Sequence, residues 1–180
     1  MSIDYYANGK TTLKCMLSGS ACVHLFSYDI NGILRTYNAN DGDEQSFYVL
    51  KYDSSGRKIK EEGFVVCPAM GILDNNNGYY DENDTIHSIH WAAQPPGYKT
   101  NISIALYKIN ELLDSIDRYK ESNKRVVEPY KKYEFSKNVI QYTAILKEKG
   151  QYQIRCAGEL IDNNNNLLSR DTTGHIIYVK

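Results

Sequence analysis

The sequence lacks the segments that mark export and membrane insertion. Its first residues, Met1-Ser2-Ile3-Asp4-Tyr5-Tyr6, contain neither a basic start nor an apolar stretch, so they do not form a secretory signal. No run approaches the roughly 18 apolar residues of a membrane helix. We therefore expect no membrane insertion and a chain that is cytoplasmic before assembly. The alternative is that a leader has been removed.

An excess of charge of one sign is also missing. The formal net charge is −1, and the basic and acidic residues are interspersed, so nucleic acid is not an expected partner. No glycine-rich phosphate loop follows a strand pattern, and nucleotide binding has no support. With 42% hydrophobic and 24% charged residues, the composition is typical of a soluble globular protein.

Catalytic signatures are absent as well. The sequence has no Gly-x-Ser-x-Gly elbow, and nothing places a histidine beside a nucleophile. His87 and His90 lie in a segment that reads as a strand, where positions i and i+3 face opposite sides, so no metal site is predicted there. No catalytic residue is predicted, and an enzyme whose site only the fold reveals stays an alternative.

The four cysteines, Cys15, Cys22, Cys67 and Cys156, show no CxxC spacing, which argues against a zinc ribbon or a thioredoxin-like site. Cys15 and Cys22 could pair across a turn at 18–20. The favoured expectation is that all four are small, buried free thiols.

Tyrosine is abundant: the chain has 16 tyrosines but only 4 phenylalanines and 1 tryptophan. Most of these tyrosines are expected in strands, and Trp91 is expected to anchor a core. Four tyrosines stand outside the strand patterns and are the predicted binding residues: Tyr5, Tyr6, Tyr79 and Tyr80. Together with Trp91, the pair Tyr79-Tyr80 could also form a platform on which a sugar stacks.

A short pattern recurs and predicts hairpins. Each copy reads as a strand end, a polar turn and a returning strand, with residues that tolerate positive φ. The copies lie at Tyr28–Leu34, Tyr52–Lys58 and Ile161–Leu167, with a weaker one at Tyr107–Leu113. Repeated hairpins predict a mainly β, antiparallel protein.

The polar stretch Gly71–Asp84 predicts a linker, with an N-terminal β domain at 1–78 and a C-terminal β-sandwich at 85–180; a single domain is the alternative. Within this stretch, Asp74–Gly78 resembles a calcium loop. Its Gly falls at the fifth place and its twelfth place is Thr85, so turn chemistry explains it better. No cofactor is predicted, and calcium at these Asp/Asn loops is the minor alternative.

One segment has two interpretations. Ile102, Leu106 and Ile109 follow helical spacing, which would place a helix near 102–120 and make the protein α+β. Ile102, Ile104 and Leu106 also alternate as in a strand, and the segment aligns with the first hairpin. The repeat favours the hairpin.

The segment Gly150-Gln151-Tyr152-Gln153-Ile154 resembles the start of strand F in immunoglobulin-like sandwiches, where the Tyr hydroxyl bonds upstream backbone to form a tyrosine corner. The chain has no Cys–Trp–Cys spacing, so the resemblance is to disulfide-free immunoglobulin-like domains of bacterial or phage surface and virion proteins. It covers mainly residues 139–180. It implies an antiparallel immunoglobulin-like sandwich that serves as a spacer, adhesion or assembly module.

These observations predict a non-enzymatic structural or interaction module of a phage virion or a cell surface. The expected partners are other structural proteins or copies of this chain. A carbohydrate-binding module is the first alternative, and the unseen enzyme is the second.

Overall fold

The structure is a computed structural model that describes residues 1–69, 71–73, 78–109, 124–134 and 139–180, with the backbone alone at 125 and 128–134. The described residues form β-sheets whose strands pair antiparallel, apart from one short parallel pair between 79–80 and 178–179, and they contain no helix, which confirms the mainly β prediction. The strands are β1 (Ser2–Tyr5), β2 (Thr11–Ser18), β3 (Ala21–Tyr28), β4 (Leu34–Asn40), β5 (Ser46–Tyr52), β6 (Lys58–Gly63), β7 (Gly71–Ile72), β8 (Tyr79–Tyr80), β9 (Thr85–His90), β10 (Lys99–Ile109), β11 (Lys124–Glu134), β12 (Ile140–Ile145), β13 (Gly150–Ile161) and β14 (Leu167–Val179).

The first six strands form one meander, in which each strand pairs antiparallel with the next. One face of this sheet carries apolar and aromatic side chains that alternate along β3, β4 and β5, including Phe26, Tyr37 and Leu50. This face packs against Val65 and Leu160, which come from outside the meander. The six-stranded sheet therefore shares a core with the rest of the chain.

Four hairpin turns in the chain share one design built on an aspartate. In each, one Asp carboxylate oxygen accepts hydrogen bonds of 2.8 to 3.0 Å from the backbone N–H groups two and four residues later. The residue three places after the Asp has positive φ, between 62° and 82°. The aspartates are Asp29, Asp41, Asp53 and Asp162, and the positive-φ residues are Gly32, Glu44, Gly56 and Asn165. Three of these turns are the predicted ones, and the copy at Asp41 is new.

The remaining strands form two facing sheets, one with the order β11-β10-β13-β14-β8 and the other with the order β12-β9-β7. Their inner faces enclose one apolar cluster that takes Ile86 and Tyr142 from the smaller sheet and Ile104 and Ile154 from the larger. The orders β7-β9-β12 and β10-β13-β14 correspond to strands A-B-E and C-F-G of the immunoglobulin fold. The two facing sheets thus form a β-sandwich.

The predicted tyrosine corner is confirmed. Tyr152 lies in the third position of β13 with its ring buried in the core, and its hydroxyl donates a 2.7 Å hydrogen bond to the backbone oxygen of Glu148. Lys108 pairs with the Glu148 carboxylate at 2.6 Å and lies above the Tyr152 ring. These contacts fix the turn that leads into β13.

The stretch 71–84 contributes β7 and β8 to the sandwich, because Gly71 pairs with Ile89 and Tyr79 pairs with Tyr178. The division into domains at 1–78 and 85–180 stays a prediction.

Residues 102–109 form a strand. The helix predicted as an alternative beyond them falls outside the described residues, and so does the turn of the hairpin predicted at Tyr107–Leu113. Both faces of β10 are buried, which explains why its apolar residues mimic a helical spacing.

The expectation of four free thiols is wrong for one pair. Cys15 and Cys22 form a disulfide across the β2–β3 hairpin, with their Cα atoms 5.7 Å apart. A register shift between Met16 and Leu17 brings the two positions together. Cys67 and Cys156 are free and buried, as expected.

Within the described ranges, no helix has the length and apolar character of a membrane span.

Candidate functional site

An exposed aromatic cluster lies where β8 pairs with the end of β14. The Tyr79 ring stacks on the Tyr178 ring, with centroids 5.4 Å apart and planes 23° apart. The ammonium of Lys180 lies 5.2 Å from the centroid of the Tyr79 ring. Tyr79 is nevertheless 52% exposed. We call Tyr79, Tyr178 and Lys180 the tyrosine edge.

Backbone pairing holds the tyrosine edge in place. Tyr178 donates its N–H to the backbone oxygen of Gly78, and Lys180 donates to that of Tyr80. A shallow cavity of about 140 Å³ adjoins the cluster and is also lined by Asp81 and Asp84. The edge therefore combines a rigid aromatic surface with charges of both signs.

Tyr80, predicted as an exposed anchor, is only 2% exposed and packs in the sandwich core. Because side chains alternate along a strand, Tyr79 faces out while Tyr80 faces in. Both were predicted to stand outside the strands, and the two-residue strand β8 that separates their directions was not predicted. We therefore exclude Tyr80 from the candidate surface.

Tyr5 and Tyr6 lie at the other end of the chain, at the edge of the six-stranded sheet. Tyr5 ends β1 and is 62% exposed, whereas the Tyr6 hydroxyl donates a 2.9 Å hydrogen bond to the backbone oxygen of Tyr28. Tyr5, predicted to stand outside the strands, thus belongs to a paired strand, and Tyr6 helps to hold this strand in place. Tyr5 and Tyr79 belong to different sheets.

A groove of about 590 Å³ lies beside this strand. Its lining mixes apolar side chains with two lysines, Lys10 and Lys14, and with Tyr28, whose pKa is raised by burial. The Lys10 ammonium donates to the backbone oxygen of Asn31 at 3.0 Å, which holds one wall of the groove. The groove is a second amphipathic surface on the same face as Phe26.

The structure places His90 beside a serine hydroxyl. His90 Nε2 lies 3.0 Å from Ser88 Oγ, and both side chains face the sandwich core. Burial lowers the pKa of His90 to about 4. The pair was not predicted from the sequence, although i and i+2 spacing on a strand puts two residues on one face. A substrate has no access to this pair in the closed core.

A second histidine is buried in the six-stranded sheet. His24 Nδ1 lies 2.9 Å from the Tyr37 hydroxyl, which in turn accepts the N–H of Gln94 at 2.6 Å. Burial lowers the pKa of His24 to about 4 and raises that of Tyr37. This chain of contacts joins β3 and β4 to the segment that follows β9.

His87 and His90 face opposite sides of β9, as their strand spacing predicts: His87 is exposed beside Thr143, and His90 is buried. No group of three potential metal ligands occurs among the residues that the structure describes. The calcium alternative at Asp74–Gly78 rests on 74–77, which lie outside the described residues.

The Trp91 ring packs across two glycines. A Cβ built on either Gly42 or Gly71 would lie 2.9 Å from this ring. Trp91 therefore joins the Asp41 turn to β7 and is half-buried, whereas Tyr79 stacks on Tyr178 instead.

Burial raises the pKa of the Cys67 thiol to about 11 and that of Cys156 to about 12, so neither favours the reactive thiolate.

Comparison with known proteins does not assign the chain to a family. No protein-family model and no curated protein matches the chain. A crystal structure of the PmoD soluble domain from Methylocystis sp. ATCC 49242 (Rockwell) is similar at 8% identity with a TM-score of 0.33, over 62% of this chain and 89% of that one. A likeness of this size carries no argument.

Proposed function

We propose that this chain is a non-enzymatic interaction module, a structural component of a phage virion or of a cell-surface assembly. Its partners are other structural proteins or copies of itself. The observation that carries the proposal is the tyrosine edge, where Tyr79 is exposed yet held by stacking on Tyr178 and by the Lys180 ammonium.

A preorganised aromatic side chain suits a binding hot spot. Ordering a flexible side chain on binding costs free energy, and a ring already stacked has less freedom to lose. Interfaces concentrate their binding energy in a few aromatic or arginine anchors surrounded by near-neutral contacts. Tyr79 fits the role of an anchor, and Tyr5 at the edge of the six-stranded sheet is the second candidate.

The chemistry of the remaining polar groups supports a binding role more than a catalytic one. The Ser88–His90 and His24–Tyr37 pairs are buried, and the two free thiols have raised pKa values. Because these groups are buried, they contribute to the packing and stability of the fold. The sugar-stacking alternative loses support, because Trp91 packs on two glycines and Tyr80 lies in the core.

The test is a panel of binding measurements by biolayer interferometry. The immobilised chain is presented with itself and with the products of the genes that neighbour its own. Tyr79→Ala removes the anchor, and Ile30→Ala, an equally exposed apolar side chain at the tip of the first hairpin, is the matched control. Loss of a hot spot weakens binding by roughly thirtyfold or more.

Circular dichroism of both variants checks that the fold is intact. Selective loss with Tyr79→Ala supports the proposal. Equal affinity of the two variants, or turnover of a substrate by the isolated chain, contradicts it.

A further inference from the structure

The two edges of the six-stranded sheet differ in how they are protected. At one edge, β6 carries two lysines and two glutamates that form ion pairs, and all of its residues are exposed. Charged side chains on an edge strand discourage pairing with another chain. At the other edge, β1 pairs only with β2 among the strands that the structure describes, and the only charged residue of β1 is Asp4. The edge at β1 is therefore the one that can accept a further strand.

The side chains along β1 separate by polarity. The odd positions hold Met1, Ile3 and Tyr5. The even positions hold Ser2 and Asp4. Because successive side chains of a strand point to opposite sides of the sheet, the two sets face different sides. Met1 and Ile3 line the groove of about 590 Å³, so the apolar set lies on the groove side.

The Tyr5 ring is not used within its own chain. It is 62% exposed, and its side chain makes neither a hydrogen bond nor a ring contact with the described residues. Its cross-strand partner Thr11 lines the groove, so the ring lies beside the groove. An exposed tyrosine next to an amphipathic groove is typical of a surface that binds another protein.

The β1 strand is complementary to itself when a second copy runs antiparallel beside it. With the two-fold axis at Ile3, the two Ile3 side chains lie opposite each other. Met1 of each copy then lies opposite Tyr5 of the other, and Ser2 lies opposite Asp4. Apolar residues therefore meet on the groove side, and a serine hydroxyl can donate to a carboxylate on the other side.

Other registers of the same pairing are less favourable. A shift by one residue sets the apolar side of one copy against the polar side of the other. An axis at Asp4 sets two carboxylates directly opposite each other, which is destabilising. The register centred on Ile3 is thus the one that the sequence of β1 selects.

We infer that two copies of this chain form a symmetric dimer by pairing their β1 strands, with each Tyr5 ring at the groove of the other copy. The two six-stranded sheets then continue as one sheet across the axis. Four residues give a short contact, and interfaces below about 1,000 Å² are weak or transient, so a weak dimer is expected. This surface is separate from the tyrosine edge, and the inference does not depend on the interaction proposed above.

The experiment is sedimentation velocity of the whole chain at concentrations from about 1 μM to 1 mM, the range in which weak interfaces form. We expect the wild type to change from monomer to dimer within this range. Ile3→Lys and Ile3→Glu each place like charges opposite each other at the axis, so each variant alone should dimerise about tenfold more weakly. An equimolar mixture of the two variants places Lys opposite Glu and should restore the dimer.

Matched variants separate the β1 edge from a general effect of charge. Ile59 is 65% exposed on β6, so Ile59→Lys and Ile59→Glu are the controls and should dimerise as the wild type does. Tyr5→Ser removes an exposed ring that the fold does not need, and it should weaken the dimer severalfold. Circular dichroism checks that each variant is folded.

Three results overturn the inference. The first is a wild type that stays monomeric up to about 1 mM. The second is a dimer that both Ile3 variants leave unchanged. The third is a dimer that is lost with Tyr79→Ala and kept with Ile3→Lys, which would place the contact at the tyrosine edge.

Discussion

Lowering the pH should destabilise this protein through its two buried histidines. His24 and His90 each have a pKa of about 4 in the folded chain, because burial disfavours the charged imidazole. In the unfolded chain both return to the ordinary value near 6.5. Between these two values the unfolded state binds protons that the folded state does not, so the free energy of unfolding falls as pH falls.

The magnitude follows from the difference in pKa. Each histidine contributes roughly 3 kcal/mol that is fully present above pH 6.5 and lost by pH 4. Together they remove roughly 6 kcal/mol, a large part of the 5–15 kcal/mol that stabilises a typical domain. Asp53 affects stability at lower pH. Hydrogen bonds lower the pKa of its carboxyl group in the folded chain, so its contribution to the free energy of unfolding is lost only as the pH falls below the unfolded value of 3.8.

The assay is urea denaturation followed by circular dichroism at half-unit steps from pH 7.5 to 4.5. The double variant Ser88→Ala/His90→Leu removes one titrating group without leaving a hydroxyl unpaired, and its slope with pH should be about half that of the wild type. His87→Gln, an exposed histidine on the same strand, is the control and should follow the wild type. A free energy of unfolding that stays constant between pH 6.5 and 4.5 would contradict the lowered pKa values of the two histidines.

Three further changes test the architecture. Tyr152→Phe should cost about 1 kcal/mol by chemical denaturation, because it removes the corner hydrogen bond; an unchanged midpoint would contradict the corner. Gly158→Ala places a Cβ 2.2 Å from a methyl of Val66, so it should destabilise by about 1–3 kcal/mol, and a neutral result would mean that this contact is loose. Reducing the Cys15–Cys22 disulfide should lower stability by about 2–3 kcal/mol, measured with and without reductant; no loss would show that the loop is restrained without it.

The local turn chemistry made much of the fold predictable. An Asp followed three places later by Gly or Asn is a short-range signal, and the three strong copies all form turns. The Asp41 turn was missed because Glu44 holds the positive-φ position, and a glutamate gives no such signal. The corner at Tyr152 was predictable because its partner lies only four residues away.

Features that depend on long-range pairing were not predictable. The sequence offered the Cys15–Cys22 bond only as an alternative, because choosing it over free thiols required the register of β2 and β3. The burial of Tyr80 required β8 to pair with β14, a contact between residues about one hundred positions apart.

The central claim is that the chain binds other proteins through the tyrosine edge. The most direct measurement is the affinity of the wild type, Tyr79→Ala and Ile30→Ala for the chain itself and for the products of the neighbouring genes. We expect at least one partner whose binding weakens by roughly thirtyfold with Tyr79→Ala and is unchanged with Ile30→Ala. No partner in the panel, or the same affinity for all three proteins, would contradict it.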